Sequence, residues 1–276
     1  MDRLTLKRSG QVLAPSLFTV GNMGCGFYAL LASHQNEFSA ASTAIILGMI
    51  FDSLDGRVAR LVHGESAFGV EFDSLSDFLT FGIAPAHMMY AFILKDYGAW
   101  GYPMAFLYAM CGGLRLARFN AVAHETGGSK THFTGLPIPA GAGFLASFVL
   151  LYQIVEEGKS VHTFKPLMSQ VPLLYTLTPA MVVVLAFLMV STIPYLAFKK
   201  SPAAEIEPGG EEKKTILPPR AIKTLIGFVL GGFLLFNYPQ NTLFMIFLLY
   251  VISGPMGLLG RAIRALTGKT ATAANG

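Results

Sequence analysis

The sequence predicts an all-α, polytopic integral membrane protein with about eight transmembrane helices. Three observations carry that expectation. The 276-residue chain is 53% hydrophobic and only 13% charged, with a mean hydropathy of +0.54. Soluble domains carry roughly twice that charged share, and a chain of this size could not hide so much apolar surface in its own interior. The apolar residues fall into runs matching bilayer thickness, roughly 20 residues each. The basic residues sort to alternate ends of those runs. A cytosolic enzyme, a disordered chain and a disulfide scaffold are thereby excluded.

Taken in order, the expected spans cover 14–33, 39–61, 73–94, 99–119, 136–154, 173–197, 221–237 and 240–259. The first follows Arg3, Lys7 and Arg8 but is too long for a signal-peptide core, so it reads as a retained helix. With both termini in the cytoplasm, only Lys95, Lys159 and Lys165 of the 20 basic residues fall on the far side. A bias this strong in short loops fixes orientation and places the protein in the cytoplasmic membrane. The formal charge of +4 belongs to those loops, not to a nucleic-acid surface. Cys25 and Cys111 lie inside apolar runs and behave as small hydrophobes. Pro202, Pro208, Gly209, Gly210 and the Glu-Glu-Lys-Lys cluster at 211–214 mark a flexible linker. The chain therefore divides into a membrane core (1–200), a cytoplasmic linker (201–219), and a two-helix hairpin with a basic tail (220–276). Asn237–Asn241 is the hairpin turn.

Six of the 16 acidic residues lie between positions 52 and 77. Asp52 and Asp55 are three apart at the end of one apolar helix, and Asp73 and Asp77 are four apart at the start of the next. Each pair shares a helix face. Two helix ends joined by a short loop bring all four carboxylates to one membrane depth. Charge at that depth is costly unless it is compensated. Hard oxygen donors without a His/Cys set favour Mg²⁺, Mn²⁺ or Ca²⁺ over Zn²⁺. Solvated carboxylates paired with Arg57 or Arg60 are the bland alternative. Gly56 and Ala59 leave a smooth helix surface, and Arg60 offers a guanidinium to phosphate. Metal ions, small residues and arginine together suit a diphosphate ester and transfer of its phosphoryl group.

The run Asp52-Ser-Leu-Asp55-Gly56-Arg-Val-Ala59-Arg60, followed by Gly69, Asp73 and Asp77, is the pattern D-x2-D-G-x2-A-R-x8-G-x3-D-x3-D without a mismatch. It resembles the signature of the CDP-alcohol phosphatidyltransferases. That resemblance implies a six-helix membrane core, usually dimeric, with two Mg²⁺ or Mn²⁺ ions per site. It further implies that Asp52, Asp55, Asp73 and Asp77 bind metal and that Asp77 also serves as the catalytic base. Gly56, Ala59, Arg60 and Gly69 would line the nucleotide site. Pro15-Ser-Leu-Phe-Thr19-Val-Gly-Asn22 is similar to the family's P-N-x-F-T-x-x-N opening, although Ser16 departs from it; Thr19 and Asn22 carry over as nucleotide-facing residues.

Arg115-Leu-Ala-Arg118-Phe-Asn120 and Phe133-Thr-Gly135-Leu-Pro137-Ile-Pro139-Ala140 resemble segments of the bacterial type II and archaeal phosphatidylserine synthases. The expected substrates are CDP-diacylglycerol and L-serine. Arg115 and Arg118 could hold the serine carboxylate or a lipid phosphate, or serve only as positive-inside residues. Gly135-Leu-Pro137 reads as a re-entrant turn. His63, His87, His124 and His132 have a weaker claim than Asp77 to act as base, and Glu71 is at most a secondary ligand or arginine partner. Rival readings are the same chemistry with glycerol 3-phosphate or an inositol, a cation-coupled transporter built on the carboxylates, and a scaffold.

Overall fold

A computed structural model of the chain describes residues 3–62, 66–125, 133–156, 171–195, 227 and 231–273. Its architecture is helical throughout, apart from one minimal ribbon. The helices are α1 (Arg3–His34), α2 (Phe38–Val62), α3 (Ala67–Asp77), α4 (Ala84–Phe92), α5 (Gly101–Glu125), α6 (Ile138–Glu156), α7 (Val171–Val190) and α8 (Pro239–Ala273). Residues 231–237 are also helical, and a bend at Tyr238 joins them to α8. The Thr242 hydroxyl at that bend lies within hydrogen-bond distance of the Leu234 and Tyr238 carbonyls. The linker proposed at 201–219 lies outside the described residues.

Among the described residues, Phe38–Leu61 and Pro239–Arg261 are each long and apolar enough to cross a membrane. Ala67–Phe92 and Leu94–Val122 pass the same test as a pair bent by 93°, and Ile138–Gln153 and Tyr175–Val190 are shorter apolar helices. Leu17, Phe27, Leu61, Phe106, Phe187 and Phe236 are all more than half exposed. An apolar exterior of this kind belongs against lipid, and the protein is an integral membrane protein.

Local chemistry sets the breaks. Asn36, with φ 61°, turns the chain between α1 and α2. The Ser66 hydroxyl accepts from the Gly69 amide and caps α3. Between α3 and α4, residues Phe78–Ile83 form a π-helical turn. Wide turns leave carbonyls poorly paired, and the buried Tyr108 hydroxyl of α5 donates to one of them, Phe81 O, at 3.3 Å. Helix α7 stops at Val190, short of the expected 197. Ser191 Oγ donates back to Leu188 O, and Pro194 enters a two-residue antiparallel ribbon, β1 (Phe133–Thr134) with β2 (Pro194–Tyr195). Gly135, at φ 85°, turns the chain after β1; its amide donates to Ile193 O, and the Leu136 amide donates to Leu188 O.

Helix α6 is the axis of the bundle. Ile138, Ala142, Leu145, Ala146 and Val149 have no exposed surface, as expected of a helix apolar on every side. It packs against α2 and α8, with shorter contacts to α4 and α7. Helix α1 lies along α2 and also touches α3, the π turn and α4. Small residues permit this approach: Ala29, Ala32, Ala41 and Ala44 are buried between α1 and α2.

The tightest glycine of α1 is Gly26, where a Cβ would stand 2.4 Å from Thr80 Oγ1 and 2.8 Å from Thr80 Cα. Gly24, half a turn earlier, has open space around its Cβ position. Gly26→Ala is expected to destabilise the detergent-solubilised protein by about 1–3 kcal/mol, the range for overpacking. Thermal unfolding beside Gly24→Ala, which should behave like wild type, checks this.

Candidate active site

The end of α2 and the start of α3 meet as the Asp spacing predicts. One carboxylate oxygen from each of Asp52, Asp55 and Asp73 lies within 4.8 Å of the others. Asp77 stands beside Asp52 but is not one of the three clustered carboxylates. The Ser66 cap sets the direction in which α3 leaves the interhelical loop, so that Asp73 returns to the level of Asp52.

Helix α1 supplies the wall behind the carboxylates. Thr19 Oγ1 donates to Asp55 Oδ2 at 3.0 Å, and Asn22 Nδ2 donates to Asp77 Oδ1 at 3.1 Å. Both donors are buried, and Asp55 is 5% exposed. The backbone of the same two residues is used as well. Ser76 Oγ donates to Thr19 O at 3.1 Å, and Thr80 Oγ1 donates to Asn22 O at 2.9 Å. Each α1 residue thus holds a carboxylate with its side chain and an α3 or π-turn hydroxyl with its carbonyl.

Among the described residues no lysine or arginine forms an ion pair with these four aspartates. Arg57 and Arg60, the candidates in the bland reading, have exposed side chains. Asp73 Oδ1 is buried without a hydrogen-bond partner. Converging carboxylates with an orphaned oxygen, and no His or Cys among them, fit a hard divalent cation.

The remaining predicted residues divide. Gly56 is half-buried, and its Cβ position would have only Arg60 Nη1 near it, at 3.9 Å; a flat surface is therefore open beside Asp55. Ala59 is half-buried on the same helix. Gly69 belongs to the α3 cap through its bond to Ser66. Arg115 and Arg118 separate: Arg115 is half-buried and within electrostatic reach of Asp77, whereas Arg118 is exposed and reaches Val190 O at 3.5 Å. Glu71 is exposed and outside the clustered group. His87 sits on α4, with His34 of α1 as its electrostatic neighbour. His63 and His132 lie outside the described residues, as does the side chain of His124.

Sequence reasoning missed Ser76, Thr80 and Ser74, whose Oγ accepts from Asn120 Nδ2 at 2.9 Å and ties α5 to α3. The available signal was Ser76 and Thr80 standing four apart in an apolar helix, one residue out of phase with Asp77.

Three carboxylates that converge in a helical membrane protein, with no ion pair to them among the described residues, form a group that could hold a metal ion. Residues 12–176 match the CDP-alcohol phosphatidyltransferase family, and the chain belongs to that family. It is 36% identical over 191 residues to the CDP-diacylglycerol–serine O-phosphatidyltransferase of Helicobacter pylori, covering 68% of this chain and 73% of that one. With the Bacillus subtilis enzyme of the same name, identity is 32% over 199 residues, covering 71% and 96%. An archaetidylserine synthase of Methanothermobacter thermautotrophicus is 40% identical over 144 residues, covering 50% and 58%.

Uncompensated carboxylates repel one another, so the cluster should destabilise the metal-free protein. Mg²⁺ or Mn²⁺ is expected to raise the unfolding temperature of the wild type. Asp73→Asn should unfold at a higher temperature than wild type in chelator and gain less from added metal. Thermal scans with and without chelator test both halves.

Proposed function

We propose that this enzyme transfers the phosphatidyl group of CDP-diacylglycerol to L-serine, forming phosphatidylserine and CMP with a divalent cation as cofactor. The observation that carries the proposal is the convergence of Asp52, Asp55 and Asp73, with Thr19 bonded to Asp55 and Asn22 to the neighbouring Asp77, within the segment matched to the family. The acceptor is inferred from the names of the relatives and from Arg115, a half-buried guanidinium within electrostatic reach of Asp77 that suits a carboxylate.

In this reading Asp52, Asp55, Asp73 and Asp77 hold two Mg²⁺ or Mn²⁺ ions. When bound, these would neutralise the diphosphate and stabilise charge on the departing CMP. Asn22 fixes the Asp77 carboxylate by donating to Oδ1, leaving Oδ2 to take the proton from the serine hydroxyl. The serine oxygen then attacks the phosphorus bearing diacylglycerol, and the bond to CMP breaks. Thr19 orients Asp55 in the same way. Gly56, Ala59 and Gly69 leave room for the nucleotide, and Arg60, free to swing from the exposed end of α2, pairs with phosphate. Arg118 reads as a support for the end of α7.

The wider arrangement has eight spans from the apolar run lengths, both termini and the site on the cytoplasmic side from the charge pattern, and a homodimer from the family resemblance. The core is residues 1–200, followed by a linker at 201–219 and a C-terminal hairpin.

The test is CMP release by purified protein with CDP-diacylglycerol, Mg²⁺ or Mn²⁺ and L-serine, with glycerol 3-phosphate and myo-inositol as rival acceptors. Chelator-sensitive release with serine alone is expected. Asp77→Asn should lower kcat by about 10²–10⁴-fold, the usual contribution of a general base, with a smaller change in KM for CDP-diacylglycerol. Release that survives chelation, or an Asp77→Asn enzyme with a near-normal rate, would overturn the mechanism.

A further inference from the structure

Asn120 ends the Arg-Leu-Ala-Arg-Phe-Asn run of α5, and no step of the reaction above uses it. Its Nδ2 donates to Ser74 Oγ of α3 at 2.9 Å, and the same hydroxyl donates to Val70 O at 3.0 Å. Ser74 is thus held by its own helix and by α5 together. Elsewhere α5 packs chiefly on the π turn rather than on α3 itself. A Cβ at Gly113 would stand 3.0 Å from Phe78 Cε2, and Tyr108 bonds Phe81 O. On its other flank α3 packs against α1 and is bonded to it through Ser76 Oγ and Thr19 O, 3.1 Å apart.

At about 100° per residue, Ser74 and Ser76 stand about 160° apart around α3, and the arc between them holds both Asp73 and Asp77. Two hydroxyls therefore bracket the acidic face, one bonded to α1 and the other to α5. A helix tied on both flanks cannot roll about its axis; a helix tied on one flank can. Roll matters most for Asp73. Asp55 and Asp77 are fixed directly by Thr19 and Asn22, whereas Asp73 Oδ1 is buried without a hydrogen-bond partner. The direction of that oxygen follows the orientation of α3 itself.

We propose that Asn120 is a positioning residue: through Ser74 it fixes the roll of α3 and so aims Asp73 at Asp52 and Asp55, where a divalent cation would be held. This rests on the cation reading above. The role is indirect, since Asn120 acts on the carboxylate through the helix that carries it.

The test is Mn²⁺ binding to the substrate-free protein in detergent micelles, read from the electron paramagnetic resonance signal of the free ion, with thermal unfolding in chelator alongside. Wild type is compared with Asn120→Ala, Ser74→Ala and the double variant. Asn120→Ala should weaken Mn²⁺ binding roughly tenfold, the low end for loss of a partner that orients a ligand. Ser74→Ala should do the same, and the double variant should be no worse than either, because both changes break one bond. In the CMP-release assay the half-saturating Mn²⁺ concentration should rise by the same factor. KM for L-serine at saturating Mn²⁺ should stay near wild type. Unchanged Mn²⁺ binding in Asn120→Ala would overturn the proposal. A lower unfolding temperature would then mark the bond as purely structural, and a raised serine KM would mark Asn120 as a direct substrate contact. Failure of the cation reading is distinguishable, because wild type itself would then bind no Mn²⁺, and both readings would fall together.

Discussion

Thr19 and Asn22, both buried, each make two polar contacts from α1 to the neighbouring α2, α3 and π turn. Their side chains hold Asp55 and Asp77, and their carbonyls receive the Ser76 and Thr80 hydroxyls. Sliding α1 by a single residue would strand all of these groups at once, and each buried polar group left unpaired is costly. The register of α1 against α3 is therefore fixed by chemistry as well as by shape. The glycines at 26 and 48 follow from this: a Cβ at either position would press on Thr80, which must come close enough to reach Asn22 O.

The same interface explains how a site rich in like charge can exist inside an apolar bundle. Hydrogen bonds from Thr19 and Asn22 orient Asp55 and Asp77 but bring no positive charge. What remains is a preformed set of oxygens with a charge deficit that a divalent ion would fill. Apolar packing is concentrated elsewhere, along α6 and between α1 and α2, and holds the polar end open.

Much of this was legible in the residues. Two apolar runs ending and beginning in paired aspartates dictate convergence, because spacings of three and four mean one face of a helix. Gly135 announced its turn, since few other residues tolerate a positive φ. Other features gave no such signal. Ser76 and Thr80 look like ordinary small residues of a membrane helix, and only their partners on α1 reveal a role. Arg115 and Arg118 share a helix face by spacing, but three residues leave them about 60° apart around the axis. That offset sends one into the site and the other to the end of α7. Tyr195 was invisible for a different reason: it docks in the groove at Gly254, a contact between segments far apart in the chain.

The π turn at Phe78–Ile83 has a geometric meaning for the whole catalytic end. It inserts what amounts to one surplus residue between the helix carrying Asp73 and Asp77 and the helix buried in the core as α4. An uninterrupted α-helix of the same sequence would turn the two halves by about 100° relative to each other. With α4 seated, both aspartates would then swing away from Asp52 and Asp55; with the aspartates seated, Ala84, Met88 and Met89 would leave the core. The wide turn works as an indexing step, letting one continuous rod present its acidic face to the site and its apolar face to the core at angles that a regular helix cannot combine.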